Sequence, residues 1–139
     1  MIKNSFYFCG MKIKFFNPND FDRNIKATVH KTGKIGFTID AAKKLSLSVD
    51  CSLSIGINED DSDDSNLYVI LHNTIETGAF KVSKAGGYYY VNTKVLFDNL
   101  KIDYVNSAII YDITEEDFEG QKVYKFKKRN KLDKDKSVV

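Results

Sequence analysis

The stretch Ala27 to Leu47, ATVHKTGKIGFTIDAAKKLSL, carries most of the information about the fold. Ile25, Ala27 and Val29 alternate with Lys26, Thr28 and His30, which is the period of a half-buried strand. Lys31-Thr32-Gly33-Lys34 follows, and Gly33 supplies the positive φ of a tight turn. Ile35, Phe37 and Ile39 then alternate with Lys34, Gly36 and Thr38. Asp40 is placed to cap a helix of a turn or two over Ala41 to Leu45.

The same pattern returns about fifty residues later. Val29, Lys31, Gly33 and Phe37 recur at Val82, Lys84, Gly86 and Tyr90, an offset of 53. Leu45, Leu47, Val49, Ile55, Val69 and Leu71 recur at Leu100, Ile102, Tyr104, Ile110, Tyr124 and Phe126, an offset of 55. We read this as an internal duplication. Pseudo-repeat one spans residues 25–72 and pseudo-repeat two 79–127.

The first repeat continues with a strand at Ser52 to Ile57, whose Leu53, Ile55 and Ile57 share a face. An acidic turn at Asn58 to Asn66 and a strand at Leu67 to Leu71 follow. The second reads as a strand at Ala79 to Lys84, a turn at Ala85-Gly86-Gly87 and a strand at Tyr88 to Asn92. A helix at Thr93 to Leu100 has Val95, Leu96 and Leu100 on one face. It leads to a strand at Ser107 to Ile113, an acidic turn at Thr114 to Gln121 and a strand at Lys122 to Lys127. Upstream, Lys12 to Phe16 alternates as a strand and Asn17-Pro18-Asn19-Asp20 is a turn.

A repeat of this length buries too little surface to stand alone. Two can interleave so that each covers the other's apolar faces and sheet edges. The expected fold is therefore mainly β with short helices: one domain over residues 1–129, built from two ββαββ pseudo-repeats in an interleaved, barrel-like sheet. Residues 130–139 read as a disordered basic tail.

Composition bounds the function. Ten Phe, eight Tyr and a single Pro among 139 residues fit a chain with a core. Cys9 and Cys51 stand without metal-ligand spacing and read as reduced thiols of a cytoplasmic protein. No apolar run is long enough to cross a bilayer, so no membrane is expected. Phe6-Tyr7-Phe8 is too short for a signal peptide, and Met11 offers an alternative start. We find no nucleophile–base pair, phosphate loop or metal motif, so neither catalysis nor a cofactor is expected. Net charge is +2, but Gln121 to Val139 holds seven Lys and one Arg against two Asp, a net +6 that leaves −4 elsewhere.

Repeat one resembles the swapped-hairpin, AbrB/SpoVT-type family of bacterial transition-state regulators and antitoxin DNA-binding domains. The likeness runs from Ala27 to Leu71. It rests on the strand to Val29, Lys31-Thr32-Gly33-Lys34-Ile35, Phe37, Ile39-Asp40, Lys43-Lys44-Leu45-Ser46-Leu47 and Leu53-Ile55-Ile57. Lys34 stands where that family usually has an arginine. The resemblance implies a small DNA-binding regulator. A second resemblance is to single-stranded nucleic-acid binders of the PUR-alpha and Whirly type.

Candidate contacts follow from charge and from strand faces. Lys26, Lys31, Lys34, Lys81 and Lys84 flank the two first hairpins and can meet phosphates. Lys125, Lys127, Lys128 and Arg129 form a basic cluster near the C-terminus. In Tyr88-Tyr89-Tyr90, the match to Ile35 and Phe37 turns Tyr88 and Tyr90 inward and leaves Tyr89 outward, to pack on a cross-strand neighbour or to stack on a base. The acidic turns at Glu59–Asp64 and Glu115–Glu119 repel nucleic acid, which puts a binding face at the opposite pole. The expected partner is nucleic acid; a protein-interaction or assembly module is the alternative, and the oligomeric state stays open between monomer and homodimer.

Overall fold

The computed structural model describes residues 5–8, 11–15 and 24–129. Strands β1 (Ser5–Phe8) and β2 (Met11–Lys14) form an antiparallel hairpin of their own. The turn expected at Asn17–Asp20, the thiol of Cys9 and the tail 130–139 lie outside the described residues.

The remaining strands close a barrel. Repeat one gives β3 (Lys26–Val29), β4 (Lys34–Phe37), α1 (Ile39–Leu45), β5 (Ser52–Gly56) and β6 (Leu67–His72). Repeat two gives β7 (Phe80–Ala85), β8 (Tyr88–Asn92), α2 (Lys94–Asn99), β9 (Ile109–Phe118) and β10 (Gln121–Lys128). The order round the barrel is β10-β6-β5-β7-β8-β4-β3-β9, with every pair antiparallel. Exchanging β3 with β7, β4 with β8, β5 with β9 and β6 with β10 leaves every neighbour unchanged. The chain thus carries a pseudo-twofold axis, and the β3–β4 hairpin of repeat one is lodged between β8 and β9 of repeat two. Full closure removes the open edges that each repeat would otherwise expose.

Side chains fill the interior, as eight strands require. Ile35, Leu53, Leu67, Val69, Val82, Val91, Tyr111 and Phe126 are fully buried. Phe126 meets the rings of Phe37 and Tyr111 at 6.1 and 6.3 Å. Because β4 and β8 are antiparallel neighbours, the helices that follow them leave from opposite ends. α1 buries Ala41, Ala42 and Leu45, and α2 buries Phe97.

Several local expectations are corrected. Thr38, not Asp40, caps α1: its Oγ1 accepts from the Ala41 N–H at 3.2 Å. Asp40 lies in the first turn and accepts from Asn24. Ile39 has left the strand and is exposed on the helix. In α2 the buried side chain is Phe97, whereas Val95 faces solvent. Ile57 lies beyond the end of β5 and is half exposed. Thr114 to Phe118 is strand rather than turn: β9 and β10 pair out to Phe118↔Gln121. Glu119 and Gly120, at φ 52° and 84°, make the two-residue turn that suits such a hairpin.

The largest correction is one of register. Val29 pairs with Ile35, but Val82 pairs with Val91, so the second hairpin is three residues longer between equivalent points. Ile35 therefore corresponds to Val91, and these two residues pair with each other across β4–β8. An odd shift exchanges the faces of a strand. Tyr89 accordingly packs inward against the core, while Tyr88 and Tyr90 face out.

Candidate nucleic-acid interface

The outward residues of β7, β8, β4 and β3 form one continuous surface. Across it run Ser83↔Tyr90, Tyr90↔Gly36 and Gly36↔Thr28. Gly36 sits at the centre with an ordinary φ, so its reason is space. A Cβ there would fall 1.4 Å from Tyr88 Oη and 2.7 Å from His30 Nε2. The missing side chain lets the Tyr88 phenol lie over the strand and hydrogen-bond His30.

Tyr88 and Tyr90 are near-parallel, with ring centroids 6.4 Å apart and planes 20° from each other. His30 meets Tyr88 edge-on at 5.8 Å. The ammonium of Lys34 lies 4.9 Å from the centre of the Tyr90 ring, a cation–π contact. Tyr88 is 38% exposed, and its partial burial raises the phenol's pKa above the usual value. Lys26 and Lys81 share this outer surface, because their neighbours Ala27 and Val82 are buried. His30, Lys34, Tyr88 and Tyr90 thus make an aromatic and basic patch flanked by two further lysines.

The structure separates the other sequence candidates. Lys31 lies in the β3–β4 turn and Lys84 near the β7–β8 turn, at opposite ends of the barrel. Lys84 holds its ammonium 5.3 Å from the centre of the Tyr89 ring. Tyr89 itself turns inward and is partly buried against the core, contrary to the outward placement expected from the 53-residue match. The C-terminal cluster is dispersed by strand alternation. Lys125 lies on the other side of the barrel, beside Tyr68 in the β10–β6 register. Lys127 faces out opposite Asp112. The Lys128 N–H bonds Asn66 Oδ1 at 3.0 Å. Arg129 is clamped on Asp112, Nη2 to Oδ1 at 2.7 Å and Nε to Oδ2 at 3.0 Å. That pair is well shielded, so Arg129 serves the barrel before any ligand.

The acidic segments are placed by side rather than by pole. The β5–β6 loop shares a barrel end with the Lys31 turn, and the β9–β10 turn shares the other with Gly86-Gly87. Both belong to the β5-β6-β10-β9 side, across the barrel from the tyrosine patch. Sequence reasoning missed Tyr88, Tyr90, His30 and Gly36. The longer turn signal Gly86-Gly87, which allows a tighter two-residue hairpin than Lys31-Thr32-Gly33, was the clue to the shift.

No group of three His, Cys, Asp or Glu side chains among the described residues is arranged to hold a metal. No helix among them is long and apolar enough to cross a membrane. No family model matches the chain, and no curated protein or solved structure shows significant similarity to it.

Proposed function

We propose that this protein binds nucleic acid on the outer face of β7-β8-β4-β3, with a preference for single strands. One observation carries the reading: two near-parallel, outward-facing tyrosines are set among His30, Lys34, Lys26 and Lys81, and Asp112, the carboxylate that pairs across from Lys26, is held by Arg129. Bases of a single strand are free to stack on exposed rings, whereas those of a duplex are already stacked. The lysines supply the phosphate contacts that make affinity salt-dependent. The interleaving of the two repeats supports kinship with the swapped-hairpin family. The basic residue after its turn glycine is here a lysine, which lacks the bidentate geometry that reads guanine in a duplex.

The test is fluorescence anisotropy with a labelled oligothymidylate and a duplex of equal length. We expect the single strand to bind more tightly, and the paired variant Tyr88→Ala/Tyr90→Ala to weaken it by about 1–3 kcal/mol per lost stack. Replacing Lys26, Lys34 and Lys81 by Ala should flatten the log–log salt dependence by about 2, from about 0.7 per phosphate contact. No binding at low salt overturns the proposal. Equal affinity for the duplex, unchanged by the tyrosine variants, would leave only diffuse electrostatic attraction.

A further inference from the structure

Across the barrel from the tyrosines, the outer face of β5, β6 and β10 is not the polar surface that a solvated sheet presents. Ser54 pairs with Ile70, Gly56 with Tyr68 and Val123 with Glu116. Ile70 and Val123 therefore line the outside of the barrel. Ile57, 49% exposed, rises beside them. The projecting β9–β10 hairpin brings Phe118, 50% exposed, edge-on to Tyr68 at 6.4 Å. Together they enclose an open groove of about 540 Å³ with Asn58 at its rim.

Charge surrounds this apolar floor. Glu59, Asp60, Asp61, Asp63 and Asp64 lie in the loop that adjoins Ile57, and Glu115, Glu116, Asp117 and Glu119 in the hairpin that carries Phe118. Residues 57–70 and 114–125 hold nine carboxylates against two ammoniums, Lys122 and Lys125; on the hairpin Glu116 shares the face of Phe118 and Val123, and Glu115, Asp117 and Lys122 lie on the other face. Lys122 is taken up by Glu115 at 2.9 Å. Asp64 accepts hydrogen bonds from Tyr68 and from the Asn66 N–H, which hold its pKa below the usual carboxylate value and keep it charged. The loop is also shaped. The Asp60, Asp63 and Asn66 N–H groups bond the side chains of Asn58, Asp61 and Asp64 in successive turns, at 3.0, 3.0 and 2.9 Å.

We infer that this groove docks a basic amphipathic segment of a partner protein, its apolar side chains seated between Ile57, Tyr68 and Phe118 and its Lys or Arg side chains facing the two acidic flanks. Apolar anchors with a complementary charged rim are how a helix or strand is held in such a groove. An anionic nucleic acid or lipid surface is repelled from this side. The protein would then join a nucleic acid on one side to a basic protein segment on the other, and the groove stands whether or not the tyrosine face binds.

The full chain is titrated against a fluorescein-labelled peptide with Leu at i, i+3, i+4 and i+7 and Lys at its other positions. The control peptide carries Glu in place of Lys. Phe118→Ser and Ile57→Ser remove half-exposed side chains and leave the barrel interior intact, which circular dichroism checks. We expect the Leu/Lys peptide to bind at least tenfold more tightly than the Leu/Glu peptide. Each serine variant should lose at least fivefold, and Tyr88→Ala should lose nothing. Equal binding of the two peptides, or binding unmoved by both serine variants, overturns the inference. So does sedimentation that shows the free chain self-associating and Phe118→Ser abolishing it, because a second copy would then be the occupant.

Discussion

Among the described residues Tyr111 is the largest side chain buried without exposure, and its hydroxyl finds no hydrogen-bond partner there. A buried phenol left unpaired costs stability, about 1–3 kcal/mol. Burial also pushes its pKa up from 10.0 to about 12. Below pH 10 the phenol is neutral in both states and adds no pH dependence. Above pH 10 the unfolded chain releases the proton while the folded chain keeps it up to about pH 12, so stability falls as pH rises. The full loss approaches about 3 kcal/mol at 1.4 kcal/mol per pKa unit. Tyr111→Phe should therefore raise the urea midpoint at neutral pH, by about 1 kcal/mol of stability. The gap over the parent should widen between pH 10 and 12. A variant less stable than the parent at neutral pH would show that the hydroxyl is satisfied after all.

At the level of elements, two glycines of one hairpin play opposite parts. Gly33 closes the β3–β4 turn at φ 86°, and a Cβ there would meet Lys94 Cα at 2.9 Å. Its carbonyl accepts from the buried Thr93 Oγ1 at 2.8 Å, which docks the start of α2 on the turn. Gly33→Ala should cost about 2–3 kcal/mol, from the left-handed backbone and from displacing helix backbone. Gly36→Ala meets only the far ends of Tyr88 and His30, which can swing away. It should leave stability within about 1 kcal/mol yet weaken oligothymidylate binding, because it breaks up the patch. Thermal melts and anisotropy on both variants separate the two roles; equal destabilisation would refute the distinction. Strand alternation and turn glycines made the ββαββ repeats legible from the chain alone. They did not reveal that β7–β8 is three residues longer, because matching Gly33 to Gly86 aligns the turns and not the paired strands. That odd difference moved Tyr88 and Tyr90 from core to surface and hid the candidate site. The acidic run 114–118 escaped for a related reason: its glutamates alternate on a hairpin that extends past β3, where both faces meet water and no apolar period marks the strand.

On the scale of the whole molecule, the interleaving makes each repeat depend on the other. The β3–β4 hairpin has β9 and β8 as its outer neighbours, and β5 and β6 lean on β7 and β10. All four of these neighbours belong to repeat two. A chain cleaved between Thr77 and Gly78, in the exposed link between the repeats, leaves two halves with open edges and half a core. Each half alone should lack the dispersed amide spectrum of a folded domain. Equimolar mixing should restore it, with a midpoint that rises with concentration as for any obligate assembly. Ile35 facing Val91, and Val69 facing Tyr124, set the pairing at the two places where equivalent strands meet. The tyrosine surface spans both repeats, Gly36, His30 and Lys34 from one and Tyr88 and Tyr90 from the other, so oligonucleotide binding should return only with reassembly. The apolar groove is shared in the same way, with Ile57, Tyr68 and Ile70 from repeat one and Phe118 and Val123 from repeat two. A half that folds as a monomer would end the argument, because the two surfaces would then no longer need both copies to exist.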